Sequence, residues 1–308
     1  MKFWVGVTDN DWFDFLANSG PDEVNFWRPG GGGFDAIDVG APFLFKLHSP
    51  QNYIVGGGFF VRAERLPLSL AWEAFGPKNG APTLAVLHSL IGEFVGGGDA
   101  DPDIGCIILN QPFFIPRSNW LPAPRNWRRQ IVVGKTYDTD EEVGAEVWEG
   151  VRPWLPVFES VGTSTDFAVN QGERERLYGK EYLHRSRLGQ GAFRILVTDA
   201  YQKRCAISGE RTLPVLQASH IKPYGKGPNR VDNGLLLRSD LHILFDKGLV
   251  TVTPDLRVHV SDRIKERYLN GRDYYRHRGQ ELTVVPGTPG DQPNPEFLRW
   301  HNETVFLG

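Results

Sequence analysis

The sequence predicts an α+β chain of two units, and three observations carry that expectation. The first 150 residues set short apolar runs between glycine-rich breaks, the pattern of strands joined by turns. Residues 160–172 are small and polar, the composition of a linker. Residues 205–250 read as strand, loop, strand and helix, with polar residues at the corners. Charge follows the same division. Residues 1–170 hold 12 Lys and Arg against 21 Asp and Glu, whereas residues 171–308 hold 22 against 16. A basic second unit behind an acidic first one points to different partners, the second a polyanion.

The elements follow in order. Lys2–Val7 is an apolar first strand, and Asn10–Ala17 has helical apolar spacing. The glycine run Gly30–Gly33 is a loop, and Pro42–Leu47 and Tyr53–Val61 are paired strands joined by residues 48–52. Helices are expected at Ser69–Phe75 and Thr83–Phe94, and strands at Ile104–Leu109 and Gln130–Val133, with surface loop between residues 110 and 130. Thr139–Gly150 and Gly191–Lys203 are helical in pattern. Val215–Ile221 and Gly234–Leu237 are strands, and Ser239 caps a helix that starts at Asp240. A hairpin over residues 248–261 precedes a basic stretch with Arg263, Lys265, Arg267, Arg272, Arg276 and Arg278 among Tyr268, Tyr274 and Tyr275. Such a stretch can track a nucleic-acid backbone or simply form a solvated face.

With 40% hydrophobic and 23% charged residues the chain is globular rather than disordered. No apolar run approaches the roughly 18 residues of a membrane span, and the first residues lack a secretory apolar core. Two cysteines, Cys106 and Cys205, are too few and too far apart for a disulfide framework or a CxxC pair. A cytoplasmic protein without a membrane partner is expected.

The chemistry concentrates between residues 205 and 250. His220 ends a strand, Asn233 opens the next, and His242 and Asp246 stand at i and i+4 on one helix face, a spacing that can close on one metal ion. Each residue alone is ordinary; the constellation is not. It resembles the HNH (ββα-metal) nuclease motif in the variant A-S-H-I, N-G-L-L-L, H-x-x-x-D-x-G, with a matching lead-in at Gly189–Arg194 and Cys205–Gly209. The resemblance implies His220 as general base, Asn233 as the residue that holds the loop, and His242 with Asp246 on the metal side. It implies one divalent ion, Mg²⁺ or Mn²⁺ with other transition metals open, and products with 5′-phosphate and 3′-hydroxyl ends. Many relatives carry Asp or His before the base, where this chain has Ser219, a poor ligand. Lys222, Lys226 and Arg230, in the loop after His220, are the expected contacts to the DNA backbone.

The front half resembles the EVE branch of the PUA-like β-barrel superfamily, on Lys2–Val5, Val24–Trp27, Phe43–Ser49 and Ile54–Gly57. The whole chain is similar to bacterial proteins grouped as predicted restriction endonucleases. The resemblance implies a PUA-like barrel with flanking helices over residues 1–160, a linker over 161–184 and an HNH domain over 185–308. It also implies a reader of modified, extruded bases. Trp12, Phe26 and Trp27 are the expected stacking residues, and Asn25, His48 and Ser49 the expected polar ones. The acidic charge of this half requires a local basic strip, expected at Arg125, Arg128, Arg129 and Lys135.

The function this implies is a modification-dependent restriction endonuclease acting on double-stranded, base-modified DNA, as a monomer or homodimer. The alternatives are a nonspecific HNH nuclease with a regulatory front half, and a non-catalytic protein that binds modified DNA.

Overall fold

The structure is a computed structural model that describes residues 1–30, 33–95, 99–156, 188–223 and 226–308. The chain divides into two compact units, Met1–Ser186 and Arg187–Gly308. The expected linker, 161–184, lies outside the described residues.

In the first unit the strands are β1 (Lys2–Thr8), β2 (Glu23–Pro29), β3 (Pro42–Leu47), β4 (Tyr53–Pro67), β5 (Asp103–Phe114), β6 (Leu121–Pro122) and β7 (Gly134–Asp138). They make one sheet in the order β2-β5-β4-β3-β1-β7, with β6 paired to β4. β1 and β3 run parallel, and the other pairs are antiparallel. The sequence led us to expect a barrel, but among the described residues β2 and β7 pair only inward and no ladder joins them. Helices cover the two faces instead. Helix α1 (Asn10–Ser19) is capped by Asp9, whose side chain accepts from the Asp11 and Trp12 amides at 2.8 and 3.2 Å. It buries Trp12, Phe13 and Leu16 against Phe43, Phe45 and Leu47 of β3. On the opposite face α4 (Glu142–Val151) sets Val147, Trp148 and Val151 against Phe3, Val5, Leu44 and Tyr137. A strand buried on both faces has no room for alternation, which is why β3 reads as an apolar run broken only by Lys46, whose Nζ donates to the Leu47 carbonyl and Asn52 Oδ1. Helices α2 (Leu68–Phe75) and α3 (Leu84–Val95) lie between β4 and β5 in the chain.

Several boundaries differ from the sequence reading, β4 running to Pro67 rather than Val61 among them. The strand expected at Gln130–Val133 starts instead at Gly134, because pairing with β1 sets its register at Gly6↔Gly134 and Lys2↔Asp138. The stretch expected as loop after residue 110 begins inside β5, which continues to Phe114 opposite Gly56 of β4. A Cβ on Gly56 would land on the Phe113 carbonyl oxygen, so the close approach of these strands requires glycine there.

In the second unit α5 (Gln190–Ala200) packs on the hairpin β8 (Leu216–His220) and β9 (Gly234–Arg238), followed by α6 (Ser239–Asp246). Ser239 lies inside the first turn of α6 and Arg238 holds the cap position without a side-chain bond, so the expected serine cap is not made. The hairpin β10 (Val250–Val252) and β11 (Val258–Val260) forms as expected. Short helices α7 (Arg263–Tyr268) and α8 (Arg272–Tyr275) lead to α9 (Pro295–Thr304). One apolar core joins Phe193, Val197, Leu235–Leu237, Leu241, Phe245, Val250 and Leu298.

His301 of α9 ties the base of this core. Its Nε2–H donates to the Phe245 carbonyl at 3.2 Å, Thr251 Oγ1 donates to Nδ1 at 2.8 Å, and the ring stacks on Phe245 with centroids 3.8 Å apart. Burial pushes its pKa down to about 4. The unfolded ring takes a proton near pH 6.5 and the folded ring resists it, so stability is full above pH 6.5 and is lost as pH falls towards 4. The loss should reach about 3 kcal/mol. Hydrogen exchange of the Val250–Val252 amides, corrected for intrinsic rates, should report it, and His301→Gln should flatten the dependence.

Candidate active site

The hairpin β8–β9 places His220 opposite Gly234 at its loop end, and the loop between the strands returns over this corner. Asn233 fixes that return. Its Nδ2 donates to the Lys222 and Pro228 carbonyls, each at 2.9 Å, and its Oδ1 accepts from the Lys222 amide at 2.9 Å. The Ile221 amide donates to the Asn233 carbonyl at 2.9 Å. A fully buried amide uses both its donors and its acceptor on the loop main chain, which only Asn at this length can do.

The ring of His220 lies flat on Phe193, with centroids 3.9 Å apart and planes 9° apart. Its Nε2 is 2.7 Å from Asn229 Oδ1. Burial pushes the His220 pKa below its ordinary value and His242 adds to the effect, while Asn229 and Asp246 oppose it. The ring is therefore neutral at pH 7.

Helix α6 carries His242 and Asp246 one turn apart, Nε2 to Oδ2 at 3.3 Å. Nδ1 of His242 is 2.8 Å from Gln217 Oε1 of β8. With that oxygen as acceptor, Nδ1 donates to Gln217 and Nε2 faces the carboxylate. Burial raises the Asp246 pKa, opposed by His242 and His220. The three side chains thus act electrostatically on one another. A lone pair facing a carboxylate is unfavourable unless a proton or cation lies between them, so the pair fits a divalent ion with two protein ligands. Among the described residues no group of three or more His, Cys, Asp or Glu side chains is placed to hold a metal. Ser219 is fully buried, and its Oγ has no partner among the described residues.

Of the expected backbone contacts, Lys226 is exposed and Lys222 sits over the Trp300 ring at 5.6 Å. Arg230 is engaged by Asp232, with Nε donating to Oδ1 at 3.0 Å. In the basic stretch Arg278 pairs with Asp262 at 2.9 Å, while Arg263, Lys265, Arg267, Arg272 and Arg276 are exposed. Cys205 is buried, and its sulfur accepts from the Ser208 and Arg238 amides at 3.4 and 3.3 Å.

In the first unit the expected base-reading residues fall in three places. Trp12 and Phe26 are 5% and 7% exposed and pack the core with Phe43 and Phe45. Asn25, also buried, donates to Asn79 Oδ1 at 2.8 Å, and the indoles of Trp12 and Trp27 both donate to the Asn79 carbonyl, at 3.0 and 2.8 Å. These four side chains make an internal joint, because buried donors take the nearest acceptor. His48 and Ser49 are exposed on the loop between β3 and β4. Within the expected basic strip, Arg125 is held by Glu142 and Glu146 of α4 and Lys135 lies over Tyr137, leaving Arg128 and Arg129 exposed.

The structure opens a cavity of about 350 Å³ elsewhere, lined by Asn10, Phe13, Asp14, Gln51, Phe114 and Trp120 among others. Two of its lining residues each carry a buried oxygen, Asn10 Oδ1 and Gln51 Oε1, without a hydrogen-bond partner among the described residues. Phe13 meets Trp120 edge-on at 5.9 Å. Sequence reading missed this set; its signal was two polar residues, Asn10 and Asp14, one turn apart on α1. It also missed Asn229 and Gln217, and took Phe193 only as part of the lead-in; Gln217 left a trace as a polar residue inside a strand.

No protein of curated function aligns significantly with this sequence. Among solved structures, a mutant of the ASCH protein of Zymomonas mobilis is similar over 48% of this chain and 95% of its own, at 10% identity and a TM-score of 0.34. The ASCH protein of Zymomonas mobilis itself is similar over 42% and 88%, at 12% identity and a TM-score of 0.27. The modification-dependent restriction endonuclease TagI is similar over 92% of this chain and 75% of its own, at 15% identity and a TM-score of 0.27. Residues 205–253 match the family described as HNH endonuclease, a span that takes in β8, the stapled loop, β9, α6 and β10. The second unit therefore carries an HNH endonuclease domain.

Proposed function

We propose that the chain is a metal-dependent DNA endonuclease directed to base-modified DNA by its first unit. The observation that carries the catalytic half is the corner at the loop end of the β8–β9 hairpin, where His242 and Asp246 meet at 3.3 Å within electrostatic reach of His220.

Phosphodiester hydrolysis needs an activated water and relief of charge on the phosphate. His220, kept neutral by burial, takes the proton from water. A divalent ion, Mg²⁺ or Mn²⁺ or another transition metal, held by His242 Nε2 and an Asp246 oxygen would neutralise phosphate charge and steady the departing 3′-oxygen. Asp246 is 59% exposed, so a phosphate can approach its oxygens directly. Asn233 keeps the loop closed behind His220, and Lys222 and Lys226 on that loop are in place for flanking phosphates. One such site cuts one strand, so a double-strand break takes a homodimer or two successive events.

For the reading half, the cavity beside α1 replaces the residues expected from the sequence. Its volume suits a small planar ligand. Phe13, Phe114 and Trp120 offer apolar contact, and the orphaned oxygens of Asn10 and Gln51 are acceptors waiting for N–H donors on a base edge.

His220→Ala should lower the cleavage rate by about 10²-fold or more while DNA affinity stays unchanged; near-normal cutting would remove His220 from the chemistry. His242→Ala and Asp246→Ala should each weaken Mn²⁺ binding in a calorimetric titration, with excess Mn²⁺ restoring part of the cleavage. Normal metal affinity in either variant would remove that residue from the ion's ligands. Gln51→Leu should weaken binding to modified DNA by about 1 kcal/mol, roughly fivefold in Kd. The same variant should unfold no more easily than the parent, because its oxygen has no bond to lose. Equal binding of modified and plain DNA by the parent would turn the first unit into a regulatory module.

A further inference from the structure

The amide of Asn229 is 3% exposed and sits between two groups of different kind. Its Nδ2 donates to the Leu188 carbonyl at 2.7 Å, and its Oδ1 is 2.7 Å from His220 Nε2. A main-chain carbonyl can only accept, so the amide has one permitted orientation: nitrogen towards Leu188, oxygen towards the imidazole. An oxygen at that distance demands a donor, so the neutral ring carries its proton on Nε2 and its basic lone pair on Nδ1. Phe193, stacked on one ring face, limits rotation about the remaining torsion.

We infer that Asn229 is a positioning residue for the nuclease: it selects the tautomer of His220 and thereby assigns Nδ1 as the atom that takes the proton from water. The inference rests on the reading of His220 as general base. It adds which nitrogen acts and what holds the ring so. The opposite tautomer would set a lone pair against the Asn229 oxygen and leave no basic nitrogen on the side turned away from it. Asn229 lies between Pro228, whose carbonyl Asn233 binds, and Arg230, which Asp232 engages, so the residue is itself held by its neighbours.

The test uses the full chain, metal-free, with ¹⁵N-labelled histidine at a pH where the ring is neutral. Ring nitrogen shifts separate protonated from unprotonated sites. The parent should show His220 as the Nε2–H form. Asn229→Leu, close in volume but without an acceptor, should give a mixture of tautomers and lose about 10²-fold in cleavage rate at unchanged DNA affinity. Asn229→Asp keeps the acceptor and removes the bond to Leu188. It should hold the Nε2–H form, and it serves if the leucine variant does not fold. An Nδ1–H ring in the parent, a mixed ring in the aspartate variant, or full-rate cutting by the leucine variant would each overturn the inference. Failure of the base reading shows separately, as normal cutting by His220→Ala with the Nε2–H form present in the parent.

Discussion

The side chain of Asn233 gives both donors and its acceptor to the main chain of one loop, and the nuclease corner depends on that closure. A loop of this length between antiparallel strands has many conformations and little apolar surface to select one. Three bonds from one buried amide select it, because leaving any of them unmade in the interior costs more than the loop gains by opening. Once the loop is set, the end of β8 is set, and with it the ring of His220 against Phe193 and Asn229. Helix α6 follows β9 without an intervening residue, so the same closure fixes where His242 and Asp246 stand relative to that ring.

Both units bond much of their buried polarity, and both leave some of it, Ser219 Oγ and Asn25 Oδ1 included, without a partner among the described residues. In the nuclease unit the buried amides of Asn229 and Asn233 and the ring of His301 are bonded to main chain or to each other's supports, and the polar groups become a rigid frame. The first unit does this too at the Asn25–Asn79 joint, where two indoles share one carbonyl. Beside α1 it does not. There, oxygens of Asn10 and Gln51 are kept from water without a partner among the described residues, a cost to folding that a ligand can relieve.

How much of this was legible varied with the physics behind each feature. Strand and helix positions were readable where one periodicity dominated, as in Pro42–Leu47 and Gly191–Lys203, because burial on one or two faces writes itself into the order of apolar residues. The start of β7 was not, because its register is set by β1, more than a hundred residues away. The His220, Asn233, His242 and Asp246 set was visible as a spacing, since one hairpin and one helix place all four. The base-reading residues were sought among the aromatic rings Trp12, Phe26 and Trp27 and the polar side chains Asn25, His48 and Ser49. Trp12 and Phe26 went to the core for the ordinary reason that large apolar rings do, and the cavity is marked instead by polar atoms whose lack of partners no sequence displays.

The anchor of Asn229 on the Leu188 carbonyl joins His220 to the main chain rather than to another side chain. A carbonyl has no residue identity. The amino acid at position 188 can change through evolution without altering this bond, whereas the amide at 229 must stay. Drift will therefore look uneven along the two halves of one interaction: a free position at one end and a frozen one at the other. Any method that finds contacts by correlated change between positions will be blind to it. The same asymmetry gives the bond a position along the polypeptide, since it needs the chain to be present at Leu188, just ahead of α5. Trimming the chain back to the first turn of that helix would leave the whole HNH match, residues 205–253, in place and still cost the imidazole its orientation.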